Sequence, residues 1–328
     1  MVRRTFLALT ASSIAASTAS AAAPGTLNGR WDLTVPGNDK NRAWWIEIKG
    51  ADTPAPSGSF IGAPGGDLNQ INDLKVATDG EATWSFARPV PPNNKNPNAK
   101  PWKAVYKAKV GADGKLTGSM TTVEGAPAPV QPFHGNRAPK FTRQDPAKLK
   151  AGKPVELFNG RDLAGWKPVR TNLPMLWKVE GGILKNAPGT IDIITEAKFM
   201  DFRLHVEYKV GPKSNSGIGL RARYEVQILE DFGQPPNTHG NGALYSRILP
   251  TSNASKPANE WQVVDITLVG NVVTIVLNGA KVIDNKEIDG LTAVAIDPNE
   301  GEPGPIILQG DHGAVEFRKV TLTPLTRA

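Results

Sequence analysis

The sequence predicts an all-β protein, in which a small antiparallel β-barrel or sandwich is followed by a larger jelly-roll β-sandwich. Glycine and proline are frequent, with 33 and 28 copies among 328 residues, and turn signals recur along the whole chain, as they do between short strands. Long stretches with the 3.6-residue apolar period of an amphipathic helix are missing after the N-terminus. A chain of this length allows two or three domains.

Residues 1–21 are predicted to be an export signal. They combine a charged start, an apolar middle and the small residues Ala19-Ser20-Ala21, after which we expect cleavage. The pair Arg3-Arg4 resembles a twin-arginine signal, and an ordinary secretory signal with two arginines is the alternative. The apolar run is too short to span a bilayer. We therefore expect an exported protein, periplasmic or extracellular, with no transmembrane segment after cleavage.

Composition excludes several classes of site. The chain has no cysteine, which excludes zinc–thiolate centres and cysteine nucleophiles. The formal net charge is +7, but the lysines are scattered and form no basic run interleaved with aromatic residues. We therefore expect no nucleic-acid partner.

Residues 25–143 are predicted to form the first β unit. In WKAVYKAKV, residues 102–110, small and aromatic residues alternate with a mostly lysine face, the pattern of a strand with one buried side. Trp44 and Trp45 are adjacent, so one of them should face outward from this unit. PVPPNNKNPNAKP, residues 89–101, is predicted to be a loop, and residues 144–154 are predicted to be the linker to the second unit.

Residues 155–326 are predicted to form the second β unit. About ten strand candidates with short turns suggest two packed antiparallel sheets, a jelly-roll sandwich. Asn278-Gly279 lies between VVTIVL and AKVIDN, which predicts a tight hairpin.

One strand candidate of this unit, RARYEVQILED at residues 221–231, has an unusual polar face. A two-residue period places Arg221, Arg223, Glu225 and Gln227 on one side and apolar residues on the other. Such a face is either a solvated edge with ion pairs inside the sheet or the floor of a site for a ligand rich in hydroxyl groups.

The second unit resembles a known family. The motifs that carry the resemblance follow one another between residues 153 and 326: ELFNGRDLAGW, WKVEGGIL, SNSGIGLRARYEVQILED, GALY, EWQVVDITLVG, LNG and EPGPIILQGDHGAVEFRKVTLTPL. They resemble the domain family of 3-keto-disaccharide hydrolases and 3-keto-glycoside 1,2-lyases. The resemblance implies a concanavalin-A-like jelly roll and a carbohydrate partner. The segment LEDFGQPPNTHGN, residues 229–241, departs from the pattern of many members.

The chemistry implied by the resemblance is the cleavage of 3-keto-glycosides by elimination and hydration. The carbonyl at C3 acidifies the hydrogen on C2, a base removes it, the substituent at C1 leaves, and water adds, for net hydrolysis. Such a site needs a base with a pKa near neutrality, a positive or hydrogen-bonding group at the enolate oxygen, and an acid or solvent for the leaving group. A separate dehydrogenase must oxidise the sugar, because no G-x-G-x-x-G dinucleotide-binding motif is present between a strand and a helix.

The polar strand supplies the first group of expected site residues. With the resemblance, Arg221 and Arg223 are expected to stabilise the enolate oxygen, and Gln227 to hold sugar hydroxyls. Glu225 is expected to act as the base or as a metal ligand. A bulge near Arg223 would reverse the side to which the later residues point.

The turn LQGDHG supplies the second group. Gly310 and Gly313 flank Asp311-His312, so the backbone should turn sharply and present both side chains. His312 is expected to be the general base or a divalent-metal ligand alongside Asp311, and Gln309 to line the same groove. The alternative is an ordinary turn histidine beside a capping aspartate.

Five further residues are candidates for binding. Asn215, Tyr245 and His239 are expected to contact sugar, although these types in a turn, a strand and a loop are more often structural. Glu230 and Asp231 form a carboxylate pair that suits acid–base chemistry, a hard cation or a solvated strand end. A divalent metal is the one possible cofactor, and its candidate ligands are Glu225, Glu230, Asp231 and His312.

The competing function is a non-catalytic carbohydrate-binding module joined to a small barrel. A direct glucanase is disfavoured because the E-x-D-x-E strand of some jelly-roll glucanases is absent. Glu225 and Glu230, five residues apart, would also fall on opposite faces of an ideal strand.

Overall fold

The computed structural model describes residues 26–37, 42–63, 65–88, 101–171, 173–187 and 189–326. The predicted export signal and all but the last residue of the predicted loop 89–101 lie outside these ranges. Within them, no helix is long and apolar enough to cross a membrane. The described ranges contain strands, loops and one 3₁₀ turn at Pro146–Lys148, which confirms the predicted all-β class.

The first unit is a curled antiparallel sheet. Its described strands run in the spatial order β4-β3-β2-β1-β9-β8-β7-β6-β5, so the first strand pairs with the last and the two edge strands follow one another in the chain. The strands are β1 (Gly29–Thr34), β2 (Trp44–Lys49), β3 (Ser57–Ile61), β4 (Asn69–Ile71), β5 (Lys75–Val76), β6 (Ala82–Arg88), β7 (Trp102–Val110), β8 (Leu116–Glu124) and β9 (Gln131–Arg137).

The interior of this barrel-like sheet is rich in aromatic rings. On β7, Ala104, Tyr106 and Ala108 are buried, whereas the alternating residues Val105, Lys107 and Lys109 are not, as the alternation predicts. The rings of Trp84 and Tyr106 stack with centroids 5.3 Å apart. Because such rings bury large apolar areas, they account for a stable core without disulfides.

The second unit is a sandwich of two antiparallel sheets. Its described strands are β10 (Lys150–Ala151), β11 (Val155–Glu156), β12 (Trp166–Pro168), β13 (Lys178–Glu180), β14 (Ile183–Lys185), β15 (Ile193–Thr195), β16 (Phe202–Val210), β17 (Asn215–Leu220), β18 (Tyr224–Leu229), β19 (Trp261–Val269), β20 (Val272–Leu277), β21 (Ala280–Glu287), β22 (Ile307–Leu308) and β23 (Val315–Thr326).

The larger sheet has the order β13-β14-β23-β16-β19-β20-β21, and the smaller sheet has the order β12-β15-β22-β17-β18. A single apolar cluster fills the space between them, which is the predicted jelly-roll arrangement. The β20–β21 hairpin turns at Asn278 and Gly279, whose φ angles of 49° and 85° are both positive. These are the signs that a two-residue type I′ turn requires.

The predicted linker is partly built into the second unit. Its 3₁₀ turn, Pro146–Lys148, is capped by Asp145, whose side chain accepts a hydrogen bond from the backbone N–H of Ala147. Strand β10 then pairs with the end of β23. The segment therefore anchors the start of the second unit to its last strand.

The barrel packs against the sandwich through its second strand. Trp44 lies in the barrel core, whereas Trp45 points out of the barrel and is fully buried in the core cluster of the sandwich. A Cβ at Gly290 would lie only 2.2 Å from the Trp45 ring, and the guanidinium of Arg247 covers that ring at 4.4 Å. One of the two tryptophans does leave the barrel, as expected, but the second unit covers it.

A backbone hydrogen bond crosses this interface, and two acids are buried next to each other in it. Ala43 N–H donates to the carbonyl of Ala295 at 2.8 Å. Asp32 of the barrel lies beside Glu300 of the sandwich, and burial, followed by the charge of Glu300, raises the pKa of Asp32. The barrel is thus held in a fixed position over the sandwich.

Candidate functional site

A pocket of about 770 Å³ lies between the barrel and the smaller sheet of the sandwich. Both units supply its walls. From the sandwich it is lined by Asn215, Glu225, Gln227, Tyr245, Ala293, Gln309, Asp311 and His312. From the barrel it is lined by Gly37, Arg42, Ala43, Trp44, Ile61, Gly62, Ala63, Gly65, Gly66, Arg88, Trp102, Met120 and Gln131.

Strand β18 places two polar side chains on the pocket floor. Tyr224, Val226 and Ile228 point into the core of the sandwich. Because alternate strand residues face opposite sides, Glu225 and Gln227 point to the outer face of the smaller sheet, where they line the pocket. The two-residue period therefore identified the polar face from Tyr224 onward.

Two glycines of the neighbouring strand make room for this floor. On β17, Gly217 pairs with Gln227 of β18, and a Cβ at Gly217 would lie 2.6 Å from Oε1 of Glu225. A Cβ at Gly219 would lie 2.8 Å from Ile307 on the other neighbouring strand. The G-I-G pattern of β17 therefore lets the Glu225 carboxylate lie against the sheet.

Arg221 and Arg223 were predicted to stabilise the enolate oxygen. The prediction is wrong, because neither residue lines the pocket. Arg221 and Ala222 have φ angles of 53° and 58° and form the turn between β17 and β18, so the alternation does not extend to them. Arg221 donates to the carbonyl of Gly270 at 2.6 Å. Arg223 pairs with Asp297 at 2.5 Å. Both guanidinium groups stabilise the protein away from the site.

Glu225 is the buried carboxyl group of the pocket, with only 3% of its surface exposed. Burial raises its pKa to about 7, with the charges of Asp192 and Asp311 acting in the same direction. The nearby charges of Arg42 and His312 act in the opposite direction. A carboxyl group that ionises near neutrality is suited to general-base catalysis.

His312 and Asp311 form a hydrogen-bonded pair at the pocket. Nδ1 of His312 lies 2.5 Å from Oδ1 of Asp311, and this bond is the main cause of a raised pKa for His312. The imidazolium form is therefore favoured relative to a free histidine, so His312 is better suited to donate a proton than to remove one.

The turn that carries this pair is close-packed and does not rely on unusual glycine dihedrals. Neither Gly310 nor Gly313 has a positive φ, so the predicted reason for these glycines is wrong. A Cβ at Gly310 would lie 2.6 Å from Thr190, and one at Gly313 would lie 2.7 Å from the backbone nitrogen of Asn215. The glycines let neighbouring segments approach each other closely.

Arg42 brings a cation from the barrel to the same place. Its Nη2 lies 3.1 Å from Oδ2 of Asp192, and both side chains are mostly buried. Its Nη1 donates to the carbonyl of Val294 at 2.6 Å. Asp192 in turn accepts a hydrogen bond from the backbone N–H of Gly310. This arrangement links the barrel cation to the turn before His312.

Three amide side chains of the pocket have oxygen atoms that accept no hydrogen bond from any described residue. They are Oδ1 of Asn215, Oε1 of Gln227 and Oε1 of Gln309. A buried acceptor without a donor costs roughly 1–3 kcal/mol. The three side chains also line the pocket, so amide groups are available there to a ligand.

Tyr245 and His239 stand at one side of the pocket. Tyr245 lines it, and burial followed by the charge of Asp67 raises its pKa to about 12. The ring of His239 lies edge-on to the Tyr245 ring at 4.8 Å, and its Nε2 lies 2.7 Å from Oδ1 of Asp67 on the barrel. His239 does not itself line the pocket and so supports Tyr245 from behind.

The four candidate metal ligands do not form one set. Glu225 and His312 line the pocket, but Glu230 and Asp231 do not. Asp231 accepts hydrogen bonds from Ser255 and from the backbone of Asn241, so it stabilises a loop. No cluster of three or more acidic or histidine side chains with metal-binding geometry occurs in the described part of the chain.

Several pocket residues were missed by sequence reasoning. Arg42, Arg88 and Trp102 come from the barrel and were not singled out from the sequence. Asp192, the partner of Arg42 just before β15, was also missed. The adjacent tryptophans at positions 44 and 45 were the one sequence signal of an interface in this region.

The comparisons with known proteins concern mainly the sandwich. A curated relative from Bacteroides thetaiotaomicron, named 3-keto-disaccharide hydrolase, is 25% identical over 166 residues, which cover 40% of this chain and 57% of the relative. The chain thus spans a little over half the length of that relative. A solved structure from Parabacteroides distasonis, described as a candidate glycosyl hydrolase, is 28% identical, with 56% of this chain and 93% of that chain covered and a TM-score of 0.46.

A family match covers most of the sandwich. The sequence profile of the 3-keto-alpha-glucoside-1,2-lyase-like domain matches residues 153–323, more than half of the chain. That segment contains β18 and the Asp311–His312 turn. On these grounds the chain belongs to the family of 3-keto-alpha-glucoside-1,2-lyase-like domains, as the motif order predicted.

Proposed function

We propose that this protein is an enzyme that cleaves 3-keto-glycosides by elimination across C1 and C2 followed by hydration. The observation that carries the proposal is Glu225, a buried carboxyl group with a pKa of about 7 on the floor of a pocket between two units. A module that only binds sugar has no need for a carboxyl group that is buried and ionises near neutrality.

The elimination step would use Glu225 and His312 as a base and an acid. The Glu225 carboxylate would take the proton from C2, and the electron pair would form the enolate of the C3 carbonyl. As the C1–O bond breaks, the His312 imidazolium would give its proton to the departing oxygen. Arg42, the cation next to Glu225, would stabilise the negative charge that develops during proton abstraction.

The hydration step restores the sugar. The oxygen of a water molecule would bond to C1 of the unsaturated intermediate and lose one proton to the neutral imidazole of His312, while Glu225, protonated in the first step, would give its proton to C2. The base and the acid would thereby return to their starting states. The sum of the two steps is hydrolysis of the glycosidic bond with the 3-keto group retained.

The sugar would be held by the amide groups on the pocket floor. Asn215, Gln227 and Gln309 line the pocket, and amide groups both donate hydrogen bonds to and accept them from hydroxyl groups. These side chains support the proposal of a ligand rich in hydroxyl groups.

We also propose that the enzyme is exported. The proposal rests on the pattern of residues 1–21. Edman sequencing of the protein recovered from the periplasm or medium should begin at Ala22.

The test of the proposed function is release of a chromogenic alcohol from its 3-keto-glucoside by the purified protein. We expect release well above that in buffer, and none from the same glucoside with a hydroxyl group at C3, because only the ketone acidifies C2. A parallel reaction with chelator shows whether a divalent ion takes part. Sugar binding without release would support the carbohydrate-binding module instead.

A further inference from the structure

The two walls of the pocket differ in chemistry. The sandwich wall carries the carboxyl group, the histidine and the amides already described. The barrel wall is largely apolar, with Trp44, Ile61, Trp102 and Met120 among its residues. If both halves of a disaccharide were bound, the barrel wall should also offer hydrogen-bonding groups for hydroxyls.

The polar side chains of the barrel wall are few. The side-chain nitrogen of Gln131 already donates to the carbonyl of Pro36 at 2.7 Å. Arg88 pairs across the sheet with Trp102, which places a cation beside the indole on the pocket side. Guanidinium groups stack on aromatic faces as readily as they bind anions.

Trp102 and Met120 have apolar surface that the barrel core does not bury. Both pack against the aromatic core only in part and line the pocket with the remainder. Trp102 begins β7, Met120 lies on β8, and Gln131 pairs with Met120 on β9. Two adjacent strands, β7 and β8, therefore contribute apolar surface at the barrel end of the pocket, and β9 adds the amide of Gln131 beside it.

We infer that this surface is the binding subsite for the leaving group and that the preferred leaving group is an aromatic alcohol rather than a second sugar. The inference rests on the proposed function, since it concerns the part of the substrate attached at C1. The sugar ring would lie on the amides and Glu225, and the aromatic ring would contact Trp102 and Met120. Indole and thioether groups both bind aromatic rings favourably.

The test compares phenyl and methyl 3-keto-glucosides, in both anomeric forms, with the wild-type protein and the Trp102→Ala variant. For each substrate, kcat/KM of the variant is divided by kcat/KM of the wild type. The intrinsic difference in reactivity between the phenyl and methyl leaving groups then cancels. We expect Trp102→Ala to lower kcat/KM for the phenyl substrate roughly 10- to 100-fold and for the methyl substrate by less than about threefold. Met120→Ala should act in the same direction, to a smaller extent.

Trp261→Ala is the matched control. Trp261 is a partly exposed tryptophan that contacts Lys209 and Arg318 and does not line the pocket, so its removal should leave the preference unchanged. An equal loss on both substrates in the Trp102→Ala protein, or a wild-type preference for a 3-keto-disaccharide over the phenyl substrate, would overturn the inference and leave the proposed function intact.

A binding measurement tests the subsite even if no substrate is cleaved. Calorimetry with phenyl and methyl glucosides that retain the C3 hydroxyl should show tighter binding of the phenyl compound to the wild-type protein. This advantage should disappear in Trp102→Ala. Equal affinities in the wild type would count against the aromatic subsite, whereas cleavage failure alone would count only against the proposed function.

Discussion

Replacing Glu225 with glutamine is expected to lower kcat on a 3-keto-glucoside roughly 10²- to 10⁴-fold, the usual contribution of a general base. The amide keeps the shape of the side chain but cannot accept the C2 proton. Because burial disfavours the carboxylate, the variant should unfold at a urea concentration no lower than the wild type. Activity assays and urea unfolding of the same preparation separate loss of chemistry from loss of fold.

The matched control for this variant is Glu230→Gln. Glu230 is the next glutamate in the chain, and its carboxylate accepts a hydrogen bond from the backbone of Lys213 outside the pocket. We expect its kcat to stay close to that of the wild type. A Glu225→Gln protein with full activity would remove the base from the proposed mechanism.

The same assignment sets the pH dependence of the wild type. Since Glu225 must be ionised to accept a proton, kcat/KM should rise as the pH increases through about 7. Since His312 must be protonated to act as the acid, and its pKa is raised by Asp311, kcat/KM should fall again at higher pH. In His312→Gln the rate should be lower and the alkaline fall should be absent.

Replacing Arg42 with glutamine is expected to have the second large effect, on both stability and rate. The change leaves the buried Asp192 without its 3.1 Å partner, and breaking a buried pair in this way costs about 3 kcal/mol. It also removes a cation that holds down the pKa of Glu225, so the rise of kcat/KM should move to higher pH. Urea unfolding and a pH–rate profile measure the two effects.

The double variant Arg42→Gln/Asp192→Asn separates these effects. It leaves no unpaired charge in the interface, so most of the lost stability should return while the rate stays low. Arg30→Gln is the control for loss of a barrel cation, because its pair with Glu47 is partly exposed and such pairs contribute little. An Arg42→Gln protein with an unchanged pH–rate profile would show that Arg42 does not act on Glu225.

The parts of the fold that the sequence predicted depend on local patterns. The Asn278-Gly279 hairpin and the alternation of β7 each involve residues close together in the chain, and each family motif is likewise a short run of consecutive residues. The floor of the site was found in the same way, because Glu225 and Gln227 follow the two-residue period of a strand that begins at Tyr224. The Asp311–His312 pair was found from its family motif.

The parts that were missed depend on contacts between distant residues or on unusual backbone. Arg42 reaches Asp192 across 150 residues of chain, so no local pattern connects them. The turn at Arg221 and Ala222 uses positive φ angles that are usually marked by glycine or asparagine. Because neither residue type is present there, β18 was predicted to start at Arg221, three residues too early. The two-residue period then placed Arg221 and Arg223 in the site.

The measurement that tests the central claim most directly is the fate of a deuterium label at C2 of the 3-keto-glucoside. If Glu225 removes the C2 proton before the C1–O bond is cleaved, kcat/KM should show a primary isotope effect. Some deuterium should also pass to water, beyond any exchange in buffer alone, where the Glu225 carboxyl group exchanges before it returns its proton to C2. Full retention of the C2 deuterium together with equal kcat/KM for the C2-protio and C2-deuterio substrates would contradict the account, because the glycosidic bond would then break without any proton abstraction at C2.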